Sequence, residues 1–235
     1  VLPDFLVRQL RQPAGQFFSA SQPNRPIQRG HIASMLCAVC EQQFSVWEGA
    51  ARSLLLGPSS ARRLPVRYGP WLQLFALSIS WRALTYLRFS IPRPYAKLAE
   101  PAQRLLPPLK EESHAAANLA LERWSIDLRA GRARTDCSDQ HVVFLNGNNV
   151  PFERAGVLGF TVCEENDLVC VVSQLGAMLI VGVIADTHPL SWRGTRVQSL
   201  GGVFPVRSQT VPEAFGAWLR AYFANIHAVS DGGDR

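Results

Sequence analysis

Between Trp71 and Leu87 runs a stretch of seventeen residues that, wound as a helix, is apolar on nearly every side. Leu72, Phe75, Ala76, Ile79 and Ala83 fall on one face, and Leu74, Leu77, Trp81 and Leu84 fall on another. A helix so covered in hydrocarbon has to be surrounded by other elements or lie in lipid. The lipid alternative is marginal on length, because a span typically takes about 20 predominantly apolar residues. It fails on chemistry, since Gln73, Ser78, Ser80, Arg82 and Thr85 interrupt the stretch and Arg82 would lie well inside the bilayer. The segment therefore reads as the central helix of a globular core, and no membrane partner is expected.

The remaining sequence divides by its period. Residues 37–56 carry Phe44, Trp47, Ala51 and Leu55 on one helical face, with Gly57 and Pro58 ending the run. Residues 111–130 repeat the rhythm through Ala116, Leu119, Ala120, Trp124 and Leu128 and stop at Gly131. Shorter helices are expected near residues 1–12 and 95–106, with irregular connections over 13–30 and 57–70. Beyond residue 135 the apolar runs shorten to strand length: 142–145, 157–162, 168–172 and 177–184, separated by turns bearing Gly, Asn and Asp. Gln174-Leu175-Gly176 makes the last two an antiparallel hairpin, and 195–206 adds a further strand. Thr210 is the expected cap of a terminal helix starting at Pro212. The fold class is thus α+β: a mostly helical N-terminal half, residues 1–135, then an antiparallel sheet with a C-terminal helix in residues 136–235.

Charge divides the chain differently. The net charge is +6, yet residues 51–110 hold ten basic side chains against one acidic, whereas 136–235 hold six against ten. A positive field concentrated in one segment suits a polyanion, so nucleic acid is the expected partner, with Arg62, Arg63 and Arg67 as phosphate contacts. The competing reading is compositional, because nearly all the basic residues are Arg and a solvated charged face needs no ligand. At 47% hydrophobic and 18% charged the chain is too apolar for disorder.

Five scattered cysteines do not form a disulfide framework and suit a reducing, cytoplasmic setting. Cys37-Ala38-Val39-Cys40 is the sharpest local feature, because two thiolates three residues apart at the start of a helix can grip one metal ion. Zinc in the complete protein is the expected cofactor, with His31 as a further candidate ligand; a redox pair and a structural pair are the alternatives. Cys137, Cys163 and Cys170 read as small strand residues. On the central helix Ser78, Arg82 and Thr85 make a polar stripe, and a guanidinium there must be paired or bind an anion. Glu48 or Glu41 would serve as partner in the first case, and phosphate in the second. Asp186-Thr187-His188-Pro189 reads as a turn, and neither Ser173, Ser199, His114 nor His141 belongs to a recognisable catalytic set.

Two motifs carry a family resemblance. Leu36-Cys37-Ala38-Val39-Cys40-Glu41-Gln42-Gln43-Phe44-Ser45-Val46-Trp47-Glu48, followed by Leu77-Ser78-Ile79-Ser80-Trp81-Arg82, resembles a group of bacterial HNH-endonuclease-like zinc-binding proteins. Those proteins share Leu-Cys-x-x-Cys-Glu-x-x-Phe-Ser-x-x-Glu and then Leu-Ser-x-x-Trp-Arg. In them an earlier Cys-x-x-Cys and a His-bearing segment precede the second pair. The resemblance implies that Cys37 and Cys40 are half of a zinc site, and that this chain is an N-terminally truncated fragment starting just after the missing His. It covers about the first 90 residues. Where HNH enzymes place Asn and His, this sequence has Glu41, Gln42, Gln43 and Glu48. The resulting expectation is a nucleic-acid-binding protein of HNH-like ancestry, inactive as this fragment and with no assigned catalytic residue. The alternative is a non-catalytic structural or protein-interaction module.

Overall fold

The computed structural model describes residues 17–19, 22–27, 35–56, 66–90, 109–134, 139–145, 158–175, 178–204 and 209–231. Around the apolar stretch it places three helices: α1 (Ala38–Leu56), α2 (Trp71–Thr85) and α3 (His114–Ala130). In α2 every residue from Leu72 to Ser80 and from Arg82 to Leu84 is buried. Each large apolar side chain removed from water this way contributes about 1.5–3 kcal/mol. The helix does not stop at Leu87 but widens into a π-helical turn, Tyr86–Ser90. A 3-10 turn, Glu111–Ser113, leads into α3, and Gly131, in the left-handed conformation at φ 61°, closes it with its N–H on Leu128 O. The buried face of α3 is Ala117, Ala120, Leu121, Trp124 and Leu128. Leu119, expected on that face, is 68% exposed: the stripe is rotated by about one position from the sequence reading.

The strands are β1 (Phe17–Ser19), β2 (Gln22–Ile27), β3 (Val66–Tyr68), β4 (Gln140–Phe144), β5 (Leu158–Glu165), β6 (Leu168–Leu175), β7 (Met178–Ala185) and β8 (Gly202–Phe204). The main sheet has the order β4-β7-β6-β5, with every neighbouring pair antiparallel. Because side chains alternate across a strand, the sheet presents two apolar faces. Val142, Phe160, Val162, Val171 and Ile180 join the cluster formed by α1, α2 and α3. Val143, Cys163, Cys170, Val172, Leu179 and Val181 join a second cluster with Trp192 and with Phe215 of α4 (Glu213–Asp231). The helices before residue 135 and the strands after it therefore share one hydrophobic core.

Gly182 sets how closely the helices approach. A Cβ there would sit 2.7 Å from Ser80 Cβ and 2.9 Å from the rim of Trp124, so only hydrogen lets α2 and α3 settle on β7. Beside this contact Ser80 Oγ donates to Gln140 Oε1 at 2.9 Å, giving a hydroxyl on the central helix a partner in the sheet.

Three expectations are corrected. The connection over 13–30 contains the β1–β2 hairpin, and the 57–70 loop contains β3, which pairs antiparallel with β8 from Val66↔Phe204 to Tyr68↔Gly202. Thr210 does not cap the terminal helix. It bridges to Arg193, while Gly216 N–H bonds to Pro212 O, so the helix takes its first carbonyl from Pro212. The short helices expected at 1–12 and 95–106 lie outside the described residues. Among the described residues no helix is long and apolar enough to cross a membrane.

Candidate functional site

Helix α1 begins at the cysteine pair. Glu41 N–H bonds to Cys37 O at 3.0 Å, which makes Cys37 the residue that opens the helix and places Cys40 in its first turn. The two sulfurs face each other at 3.5 Å, with Cys37 exposed and Cys40 partly covered. The backbone N–H of Cys40, and then its side chain, hold the Cys37 thiol below its ordinary value; the Cys37 side chain in turn pushes Cys40 up. Arg129, at the end of α3, acts on Cys40 in the opposite direction.

Zinc–sulfur bonds of about 2.3 Å in a tetrahedron put two sulfurs about 3.8 Å apart. The observed 3.5 Å is therefore a workable two-point grip for a thiophilic ion. Among the described residues no group of three or more His, Cys, Asp or Glu side chains converges on one point. His31 and Cys137 lie outside the described residues. Cys163 and Cys170 stand directly opposite each other across β5 and β6 and are fully buried. Burial first, then the neighbouring Cys163, pushes the Cys170 thiol well up, which makes Cys170 a core thiol rather than a metal ligand.

The four arginines assigned to phosphate separate. Arg62 and Arg63 lie outside the described residues. Arg67 is exposed on β3. Arg82 is buried, and its guanidinium bonds to Glu48 Oε1 at 2.7 Å, to Ser78 O at 3.2 Å and to Ser78 Oγ at 3.4 Å. Its charge also lies 5.5 Å from the centre of the Phe44 ring. Of the two roles open to Arg82, these partners match the structural one: it ties α2 to α1, and its charge meets a carboxylate instead of facing a ligand. Arg88, which sequence reasoning passed over, lies in the π-helical turn over the exposed ring of Phe89, 5.5 Å from its centre. An Arg followed directly by an aromatic residue, just past the end of an apolar helix, was the available signal.

Asp186, His141, His114 and Asp139 have structural partners as well. Asp186 Oδ1 accepts the His188 backbone N–H at 2.7 Å and Oδ2 accepts Trp192 Nε1 at 2.9 Å, so this motif is a side-chain-closed turn. His141 stacks on Trp192 and reaches Thr195 Oγ1 at 3.0 Å. His114 Nε2 lies 3.1 Å from Leu109 O. Asp139 accepts from both Arg123, at 2.6 Å, and Trp124 Nε1, at 2.8 Å, fastening α3 to the start of β4.

Compared with protein-family models, with curated proteins and with solved structures, the chain matches none of them.

Proposed function

We propose that the chain is a nucleic-acid-binding protein of HNH-endonuclease-like ancestry, in which Cys37 and Cys40 supply half of a structural zinc site completed by ligands outside the described residues. The observation that carries the reading is the ten-to-one excess of basic over acidic side chains in residues 51–110. Arg52 and Arg67, in that segment, are exposed and make no ion pair with any described residue. The reading assigns binding and not cleavage.

Fluorescence anisotropy with labelled duplex DNA tests it. If Arg52, Arg62, Arg63 and Arg67 each neutralise one phosphate, affinity falls about a hundredfold between about 50 and about 200 mM salt. Absence of binding at low ionic strength overturns the proposal. Zinc is tested separately: the complete protein should hold about one zinc per chain, and Cys37→Ser should lose it. A second reading, a protein-interaction module, draws on Leu190 and Leu200, which are 86% and 83% exposed in the second half. Salt-independent association that is lost in a Leu190→Ser/Leu200→Ser variant would favour it.

A further inference from the structure

We infer that Arg88 and Phe89 form a stacking contact for an unpaired base, which directs the protein toward single-stranded nucleic acid. The inference rests on the nucleic-acid reading and narrows its ligand. Three observations carry it. Phe89 is 67% exposed, at the point where the central helix, almost wholly buried as far as Leu84, widens into the π-helical turn Tyr86–Ser90. The guanidinium of Arg88 lies over that ring, 5.5 Å from its centre, so one face of the ring carries a cation and the other is left to water. And Arg88 makes no ion pair among the described residues, while its Nε is shut away from water without an acceptor.

Arg82, on the same helix, supplies the contrast. It too lies over a ring, that of Phe44, but its charge is met by Glu48. Arg88 repeats the cation and the ring without the carboxylate, and a cation in that position gains from an anion brought in from outside. The neighbouring sequence offers none: no Asp or Glu occurs between Glu48 and Glu100, and Arg93, Tyr95 and Lys97 continue the mixture of cations and rings. A cation for the phosphate and a ring for the base are the two elements by which proteins hold an unpaired strand. In a duplex each base is already stacked between its neighbours, whereas a single strand offers free base faces to a ring. Since every base has such a face, the contact is indifferent to base sequence.

The test measures fluorescence anisotropy of the full chain with four labelled ligands. These are oligothymidylate and oligouridylate of about 15 nucleotides, an abasic strand of the same length, and duplex DNA. Phe89→Ala should weaken both base-bearing strands about tenfold and leave the abasic strand and the duplex unchanged, while Phe89→Trp should keep the parent's affinity. Arg88→Gln should weaken base-bearing and abasic strands alike and lower the salt slope by about 0.7, one phosphate's worth. All three variants should fold, because neither side chain belongs to the buried core, and circular dichroism with urea melts checks this. The inference is overturned if Phe89→Ala binds the base-bearing strands as the parent does, or weakens the abasic strand and duplex equally. It is also overturned if the parent holds the abasic strand as tightly as the others, or if Phe89→Ala loses stability as a core substitution would. In each of these cases the parent still binds nucleic acid and the broader reading stands; that reading fails separately, by the absence of any binding at low ionic strength.

Discussion

Removing either partner of the Arg82–Glu48 pair should destabilise the fold without touching ligand affinity. The guanidinium side chain is 8% exposed and the carboxylate 19%, and they meet at 2.7 Å. Taking away one member of a buried pair costs about 3–5 kcal/mol, because the other is left charged without compensation. Glu48→Ala should cost less, about 2–3 kcal/mol, since Arg82 keeps its bonds to Ser78 and water can reach the vacated, partly exposed position. Arg82→Ala should cost about 2–4 kcal/mol: the liberated carboxylate is easily solvated, but the packed stem of the arginine is lost. The double variant should fall short of the sum of the two by about 1–3 kcal/mol, which is the coupling between groups in direct contact. Urea unfolding of all four proteins, followed by tryptophan fluorescence, measures each quantity. Additive costs would refute the pairing. So would an Arg82→Ala protein as stable as the parent that had lost affinity for DNA, because the arginine would then be serving a phosphate.

Gly182→Ala should destabilise by about 1–3 kcal/mol, as overpacked cores do, because the new methyl meets Ser80 at 2.7 Å; pairing it with Ser80→Gly should recover part of the loss. Asp139→Asn leaves Trp124 Nε1 its acceptor but weakens the bond to Arg123, and should cost about 0.5–1.5 kcal/mol in thermal or urea melts. Burial of the Tyr222 hydroxyl pushes its pKa up to about 12 from an ordinary 10.0. The folded state thus holds this proton longer than the unfolded state does. Its contribution is intact below pH 10 and is lost as pH rises toward 12, about 2–3 kcal/mol in all, a loss that Tyr222→Phe should remove.

The central helix and the four strands of the main sheet were legible because each announces itself through local periodicity: α2 through apolar residues all round, and β5 to β7 through short runs divided by turns. What was missed depends on contacts far apart in sequence. The Val66–Tyr68 strand is only three residues long and exists because Gly202–Phe204 pairs with it. No local pattern encodes a partner at that separation. Arg82 is intermediate. Its need for a counterion followed from its place on an apolar rod, but Glu41 and Glu48 both lie on α1, and helical spacing does not choose between them. Packing does, by laying the second half of α1 against α2. Thr210 shows the limit of capping rules, since a residue type that favours helix starts is here drawn into a bridge with Arg193. For the cysteine pair, the spacing was readable from sequence, whereas the exposure of each sulfur came only with the packing around the start of α1.

The strand order β4-β7-β6-β5 has a consequence for self-association. The outer edge of β4 is occupied: Val142 N–H bonds to Thr195 O at 2.8 Å and Val197 N–H to Gln140 O at 2.9 Å, so a stretch of irregular chain serves as a fifth rung. Among the described residues no strand pairs with the outer side of β5. An unpaired edge is a template on which a second chain can polymerise. At the far end of β5 stands Glu164, whose carboxylate accepts the backbone N–H of Lys110 and the hydroxyl of Ser113. That side chain ties the turn before α3 to the end of β5, and a charged residue on an unpaired edge strand discourages an incoming strand from adding to it.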